Sequence, residues 1–213
     1  MRRLLIAILF VATTTAYAQL AARKADDWVT TLEGAQRVAG SKIDEVIAKL
    51  ALKPGMIVAD IGAGSGLFAR PLAKAIAPAG KLYAVDVQQD LLDFINKRSQ
   101  EDKIANIQTV LGEFDDPKIP ARNVDLAFIN DVLHHIQNRA VYLKALGTYV
   151  KPGGRIAIIE MNSNDPNTPH RTQPELLVSR EEMMQWMSAA GFRLVEEHAA
   201  LFPGTKWFLV FGK

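Results

Sequence analysis

Between Val58 and Leu67 the chain reads Val-Ala-Asp-Ile-Gly-Ala-Gly-Ser-Gly-Leu. An apolar run suited to a buried strand passes straight into glycines at every second position, and an apolar helical pattern follows over Leu67–Ala77. Glycine lacks Cβ, so the backbone there turns tightly and lets a ligand come close. The free N–H groups and positive dipole end of the next helix face the same place. Strand, glycine turn and helix in that order open an α/β unit. The turn either serves packing alone or receives a ligand, and Asp60 just ahead of three spaced glycines favours the second reading. A dinucleotide fingerprint, G-x-G-x-x-G, is not satisfied: counted from Gly62, its third glycine belongs at 67, where Leu67 stands. Asp60 would also set a like charge against a pyrophosphate.

The pattern repeats downstream. Met56–Ile61, Lys81–Val85, Ile107–Leu111, Val124–Ile129 and Arg155–Met161 read as strands. Helical spacing marks Leu91, Leu92, Phe94 and Ile95, then Arg139–Val150, which Lys151-Pro152-Gly153-Gly154 stops. Ser179 and Glu182 form a capping box ahead of Met183, Met184 and Met187, with a stop at Gly191. Arg193–Ala199 and Lys206–Phe211 close the chain as a pair of strands. Upstream lie an arm, Trp28–Ala39, and a helix through Ile43, Val46, Ile47 and Leu50, with Ser41 placed as its cap. Alternating strands and helices predict a doubly wound, Rossmann-like α/β fold with a mostly parallel sheet. Ligands bind such sheets beyond the carboxyl ends of the strands. Asp86 ends the second strand, where a carboxylate accepts hydrogen bonds from a ribose diol. The segment Asn162–Pro174, with three prolines, reads as an irregular loop.

With 213 residues, 49% hydrophobic and 23% charged, the chain fits one such domain and a short arm. It has no cysteine, which excludes disulfides, thiolate metal sites and a thiol nucleophile. A formal charge of +2 leaves no electrostatic footprint for nucleic acid. Arg2-Arg3, the apolar Leu4–Val11 and Ala16-Tyr17-Ala18 have the order of a secretory signal peptide over residues 1–18. The apolar run is too short to span a bilayer, so no transmembrane span is expected after cleavage. Removing Arg2 and Arg3 would leave basic and acidic counts equal. The expected organisation is a signal peptide, a helical arm over 19–52 and a ligand-binding domain over 53–213, in a periplasmic or secreted protein, with a cytoplasmic or membrane-anchored protein as the alternative.

The segments Val58–Gly66, Tyr83-Ala-Val-Asp-Val87, Val124-Asp-Leu-Ala-Phe-Ile-Asn-Asp-Val-Leu-His-His-Ile136 and Leu146–Ile159 around Lys151-Pro-Gly-Gly-Arg155 follow one another in order. Together they resemble class I S-adenosylmethionine-dependent methyltransferases of the type 11 kind, over about Lys53–Glu160. The resemblance implies a seven-stranded sheet with an antiparallel last strand, S-adenosyl-L-methionine as cofactor, and methyl transfer to a small-molecule acceptor. It implies that Asp60 organises the methionine amino end and that Gly62, Gly64 and Gly66 line its methionine and ribose side. By the same resemblance Asp86 holds the ribose hydroxyls, Val87 packs on adenine and Glu113 sits near the adenine amine. Asn130 would offer a carbonyl to the methionine ammonium.

His134 and His135 follow the fourth strand, near where the methyl group would sit. Either they take a proton from an attacking oxygen or nitrogen, or one packs on a helix while the other bonds a loop. Adjacent side chains are expected to point apart, so no metal site is expected. His170-Arg171, in the proline-rich loop, and Trp28, in the arm, are candidates to cover the site. In-line methyl transfer needs alignment and exclusion of water more than a strong acid or base. A non-catalytic exported binding protein on the same fold is the alternative, because this cofactor is a cytosolic metabolite. Leu67 weighs against a nicotinamide oxidoreductase.

Overall fold

A computed structural model describes residues 25–213. The signal-peptide reading of residues 1–18 falls outside them. Three short helices come first: α1 (Ala25–Leu32), α2 (Ala35–Gly40) and α3 (Ile43–Lys49). The strands are β1 (Ile57–Ile61), β2 (Lys81–Asp86), β3 (Ile107–Leu111), β4 (Val124–Asn130), β5 (Val150–Met161), β6 (Arg193–Glu197) and β7 (Lys206–Gly212). Between them lie α4 (Ala69–Ile76), α5 (Gln89–Glu101), α6 (Arg139–Gly147) and α7 (Arg180–Ala189).

One seven-stranded sheet runs in the order β3-β2-β1-β4-β5-β7-β6. The β1–β2, β2–β3, β1–β4 and β4–β5 pairings are parallel, while β7 runs antiparallel to both β5 and β6. The order reverses between β1 and β4, which puts the switch point, and its crevice, at the ends of those strands.

Side-chain alternation splits the core into two layers. Ala59 and Ile61 of β1 join Tyr142, Leu143, Leu146, Met183 and Met187 on one face. Val58 joins Val46, Leu50, Leu72, Ile76, Leu92 and Ile95 on the other. Asp60, two residues past Val58, points into this second layer and is 3% exposed. Burying each large aliphatic side chain there supplies about 1.5–3 kcal/mol; a buried carboxylate works against that sum.

Two local readings are corrected. Ser41 does not cap α3: its hydroxyl donates back to the Arg37 carbonyl at 2.8 Å and closes α2. Lys42, at φ +46°, starts α3 instead, with its Nζ donating to the Leu201 carbonyl at 2.8 Å. Nor does helix α6 reach Val150. It stops at Gly147, and Val150 already pairs with Val124. Lys151–Gly154 lies within β5 as an irregularity, because Gly153 adopts φ +75° and a Cβ on Gly154 would meet the Val124 carbonyl at 2.9 Å. The glycines let the strand bulge without leaving the sheet. The capping box forms as read: Ser179 Oγ accepts from the Glu182 N–H at 3.1 Å, and the Ser179 N–H donates to Glu182 Oε2 at 2.9 Å.

Candidate cofactor site at the switch point

The turn after β1 is held by the neighbouring strand. The N–H groups of Gly62 and Ala63 both donate to the Val85 carbonyl, at 2.8 and 2.9 Å. Gly62, Gly64 and Gly66 have φ of +68°, +55° and +76°, a region that glycine enters without strain. At Gly62 space matters as well, since a Cβ would lie 2.5 Å from a Val132 methyl. Asp86 fastens the loop from the end of β2. Its Oδ2 accepts from the Gly64 N–H at 2.9 Å and its Oδ1 from the Gln88 N–H at 3.0 Å.

These elements frame a cavity of about 280 Å³ beyond the carboxyl ends of β1, β2 and β4. Gly62, Gly64, Asp86, Val87, Glu113, His134 and His135 are all at its wall. A smaller hollow of about 70 Å³ adjoins it, and Asp60, Ser65 and Asn130 line that one. Gly62, Gly64, Arg37 and Asp131 border both. Of the residues read from sequence, Gly66 and Arg171 line neither; a Cβ on Gly66 would meet Ile95 of α5 at 3.0 Å. Glu113 has a largely exposed side chain paired with Lys118 at 3.2 Å. The Trp28 and His170 readings place both residues at the cavity wall.

The electrostatics of the small hollow are unbalanced. Burial, and then the neighbouring charge of Asp86, push the Asp60 carboxyl up to about 7. Burial raises Asp86 too, against the lowering effect of the Gly64, Gln88 and Val87 N–H groups. Asp60 Oδ2, Ser65 Oγ and Asp131 Oδ1 are buried and have no hydrogen-bond partner among the described residues. Each such atom costs about 1–3 kcal/mol, so three around one hollow are a standing demand for donors.

Sequence reasoning missed several members. Asp131, at φ +52°, accepts from Lys206 Nζ at 2.5 Å and faces Arg37 at 3.7 Å. Glu160 lies 1% exposed on β5. Its Oε1 accepts from His134 Nδ1 at 2.7 Å and from the Met161 N–H at 2.8 Å; its Oε2 accepts from the His134 N–H at 3.1 Å. Phe114, beside Glu113, joins the cavity wall. Asp131 stood in the quoted motif next to Asn130, but nothing local marks Lys206 or Arg37 as its partners.

The histidines do not point apart. A 3₁₀ turn over Leu133–His135 replaces extended backbone, and the His134 and His135 rings lie 4.0 Å apart between centroids. His170 reaches over from the proline-rich loop to 5.1 Å from His134. Burial, with the neighbouring His134, His170 and Arg37, lowers His135 to about 4, so it is neutral near pH 7. Among the described residues no group of three or more His, Cys, Asp or Glu could hold a metal ion.

A doubly wound sheet with a reversed strand at one side, and a glycine turn and two strand-end acids at its switch point, defines a class of α/β proteins that bind a nucleoside-bearing cofactor. Residues 59–158 match the family model described as a methyltransferase domain. Among curated relatives, a demethylmenaquinone methyltransferase of Geobacillus sp. (strain WCH70) is 23% identical over 117 residues, 55% of this chain and 50% of that protein. A ubiquinone/menaquinone biosynthesis C-methyltransferase of Cupriavidus taiwanensis is 29% identical over 120 residues, 54% of this chain and 47% of that protein. The chain thus spans about half the length of these relatives. A solved S-adenosylmethionine-dependent methyltransferase from Aquifex aeolicus aligns with TM-score 0.78 and 22% identity, over 89% of this chain and 98% of that one. A Burkholderia thailandensis 1,6-didemethyltoxoflavin-N1-methyltransferase, solved with its substrate and S-adenosylhomocysteine, aligns with TM-score 0.67 and 19% identity, over 100% of this chain and 93% of that one. The fold is therefore the Rossmann-like methyltransferase fold.

Proposed function

We propose that this protein is an S-adenosylmethionine-dependent methyltransferase acting on a small-molecule acceptor. The observation that carries the reading is the acid-rich hollow beside the glycine turn, where buried oxygens of Asp60, Ser65 and Asp131 lack donors. The ammonium of the cofactor's methionine end supplies the donors and the positive charge such a hollow requires. When bound, S-adenosylmethionine supplies a methyl group on a positively charged sulfur. Asp60 and Asn130 hold the amino end. Asp86 faces the large cavity and keeps acceptor capacity beyond its backbone N–H bonds for a ribose hydroxyl. Val87 and Phe114 flank adenine, with Glu113 near its amine. Trp28 and Leu32 of α1, with Pro169 and His170, border the cavity from the outer side and exclude water from it.

Calorimetry with S-adenosylhomocysteine and with NAD tests the reading. Binding of the first and not the second is expected; binding of NAD alone would sink it. A methyl-donor turnover assay against a metabolite extract then separates enzyme from binding protein. The second reading, a non-catalytic exported binding protein, draws on Arg2-Arg3, Leu4–Val11 and Ala16-Tyr17-Ala18, whose order suits export with cleavage before Gln19. We propose that location too, with the sequence as its support. Among the described residues no helix is long and apolar enough to cross a membrane.

A further inference from the structure

We infer that Glu160 is a positioning residue that sets His134 as the proton acceptor of the site, and that the methyl acceptor is an aryl hydroxyl or aryl N–H compound that arrives with a proton to lose. This rests on the methyltransferase reading above and narrows its substrate class.

The geometry is that of a base and its orienting acid. Glu160 sits behind His134, 1% exposed, and the 2.7 Å bond to Nδ1 fixes which nitrogen carries hydrogen. A carboxylate is acceptor-only, so Nδ1 donates and Nε2 keeps its lone pair. Two backbone N–H groups, from His134 and Met161, hold Glu160 in place. From α6, Arg139 donates to the His134 carbonyl at 2.9 Å, which fixes the turn from the other side. The His134 ring borders the large cavity. His135, held down to about 4, is a poor base at neutral pH. His170, Arg37 and Asp131 act on His135 from the cavity wall, and the Arg139 guanidinium faces Glu160. Apart from the residues given to the cofactor, that wall carries Trp28, Tyr142, Met161 and Pro169, which suits a flat aryl acceptor. In the transfer the acceptor oxygen or nitrogen bonds to the methyl carbon, and the sulfur–methyl bond breaks with its electron pair left on sulfur. The acceptor's proton passes to His134 Nε2, and the Glu160 carboxylate stabilises the imidazolium that forms.

Nitrogen-15 NMR of histidine-labelled protein, free and with S-adenosylhomocysteine, tests this without a known acceptor. The expected His134 tautomer carries hydrogen on Nδ1. An Nε2–H tautomer overturns the inference. In Glu160→Leu, which removes the acceptor at Nδ1, the Nδ1–H preference of His134 should be lost; an unchanged preference overturns the inference. Should that variant fail to fold, the wild type still decides. Phenol added to the S-adenosylhomocysteine complex should move the Nε2 resonance, whereas anisole, its methyl ether with no proton to give, should not. An equal response to both, or to neither, overturns the inference. Failure of S-adenosylhomocysteine to bind counts against the methyltransferase reading instead, because the tautomer is read in the free protein.

Discussion

Replacing Asp60 with asparagine should stabilise the ligand-free protein and cripple cofactor binding. The carboxyl is 3% exposed, its Oδ2 has no partner, and its pKa is pushed from 3.8 up to about 7. A displacement of that size corresponds to about 4 kcal/mol, at 1.36 kcal/mol per pH unit. The sign follows from proton counting. The folded state holds a proton on Asp60 at pH values where the unfolded chain has lost it, so Asp60 favours folding at low pH. That advantage disappears as pH rises through about 7, and the full cost of a buried carboxylate is felt above it. Asparagine stays neutral throughout. Its advantage over the wild type should therefore grow by roughly 2–3 kcal/mol between about pH 5 and pH 8, or roughly 5–10 °C in Tm. Thermal or urea unfolding at the two pH values measures this, and calorimetry with S-adenosylhomocysteine measures the loss of affinity. In the wild type, affinity should fall roughly tenfold per pH unit below about 7, because an ammonium ligand selects the ionised carboxylate. An Asp60→Asn variant whose stability difference is the same at both pH values would refute the reasoning, since Asp60 would then have a partner in the folded protein.

Asp86→Ala should weaken S-adenosylhomocysteine binding at least tenfold by calorimetry while circular dichroism shows an intact fold, since charge-assisted bonds are worth about 1.5–3 kcal/mol each; equal affinity would remove Asp86 from the site. Gly64→Val should abolish binding, because φ +55° strains a β-branched residue and a Cβ meets Leu32 Cδ1 at 2.9 Å; normal binding would make the turn a packing feature. Methylthioadenosine, which lacks the amino-acid end, should bind with an affinity that does not follow the Asp60 titration; a pH dependence equal to that of S-adenosylhomocysteine would place the ammonium elsewhere. N-terminal sequencing of protein from its native host should begin at Gln19. A chain starting at Met1 in the cytosolic soluble fraction would show that the segment is no signal, and one retaining Met1 in membranes would show an uncleaved anchor.

What the sequence made legible is local. The glycine turn, Asp60 and Asp86 are marked by strand ends and glycine spacing over a few residues, and the capping box at Ser179 follows from two residues three apart. The sheet itself follows from repeated strand–helix units, although the reversal of β7 came from family likeness, because alternation does not encode direction. The partners that decide the chemistry are distant in the chain. Glu160 is 26 residues from His134, and Lys206 is 75 from Asp131. Only the β4–β5 and β5–β7 pairings bring them together. The adjacent histidines were misread for a different reason. Alternation holds for extended backbone, and Leu133–His135 is a 3₁₀ turn. The end of α6 was misread because Lys-Pro-Gly-Gly marks a stop without saying that pairing has already begun at Val150.

The acids at the switch point explain why this turn departs from a dinucleotide site. Three carboxylates, Asp60, Asp86 and Asp131, converge on the two hollows. Lys206 and Arg37 answer Asp131, and backbone N–H groups answer Asp86. Asp60 Oδ2 has no partner among the described residues, and the burial of Asp60 within the α3–α5 layer makes its carboxylate unfavourable to folding at neutral pH. A pyrophosphate would add two charges of the same sign beside it and raise that cost. A ligand with an ammonium on one arm and a ribose diol on the other relieves it, because the ammonium meets Asp60 while the diol meets Asp86. The same placement gives binding a direction. On the proposed reading, with the amino end at Asp60 and the ribose at Asp86, the Gly62–Gly64 backbone that borders both hollows would hold the part of the cofactor between them. His134 borders the larger hollow, and Glu160 keeps its lone pair on the nitrogen away from Nδ1. On this reading the unpaired acid would set where the cofactor lies, and the paired acid which nitrogen of His134 receives the acceptor's proton.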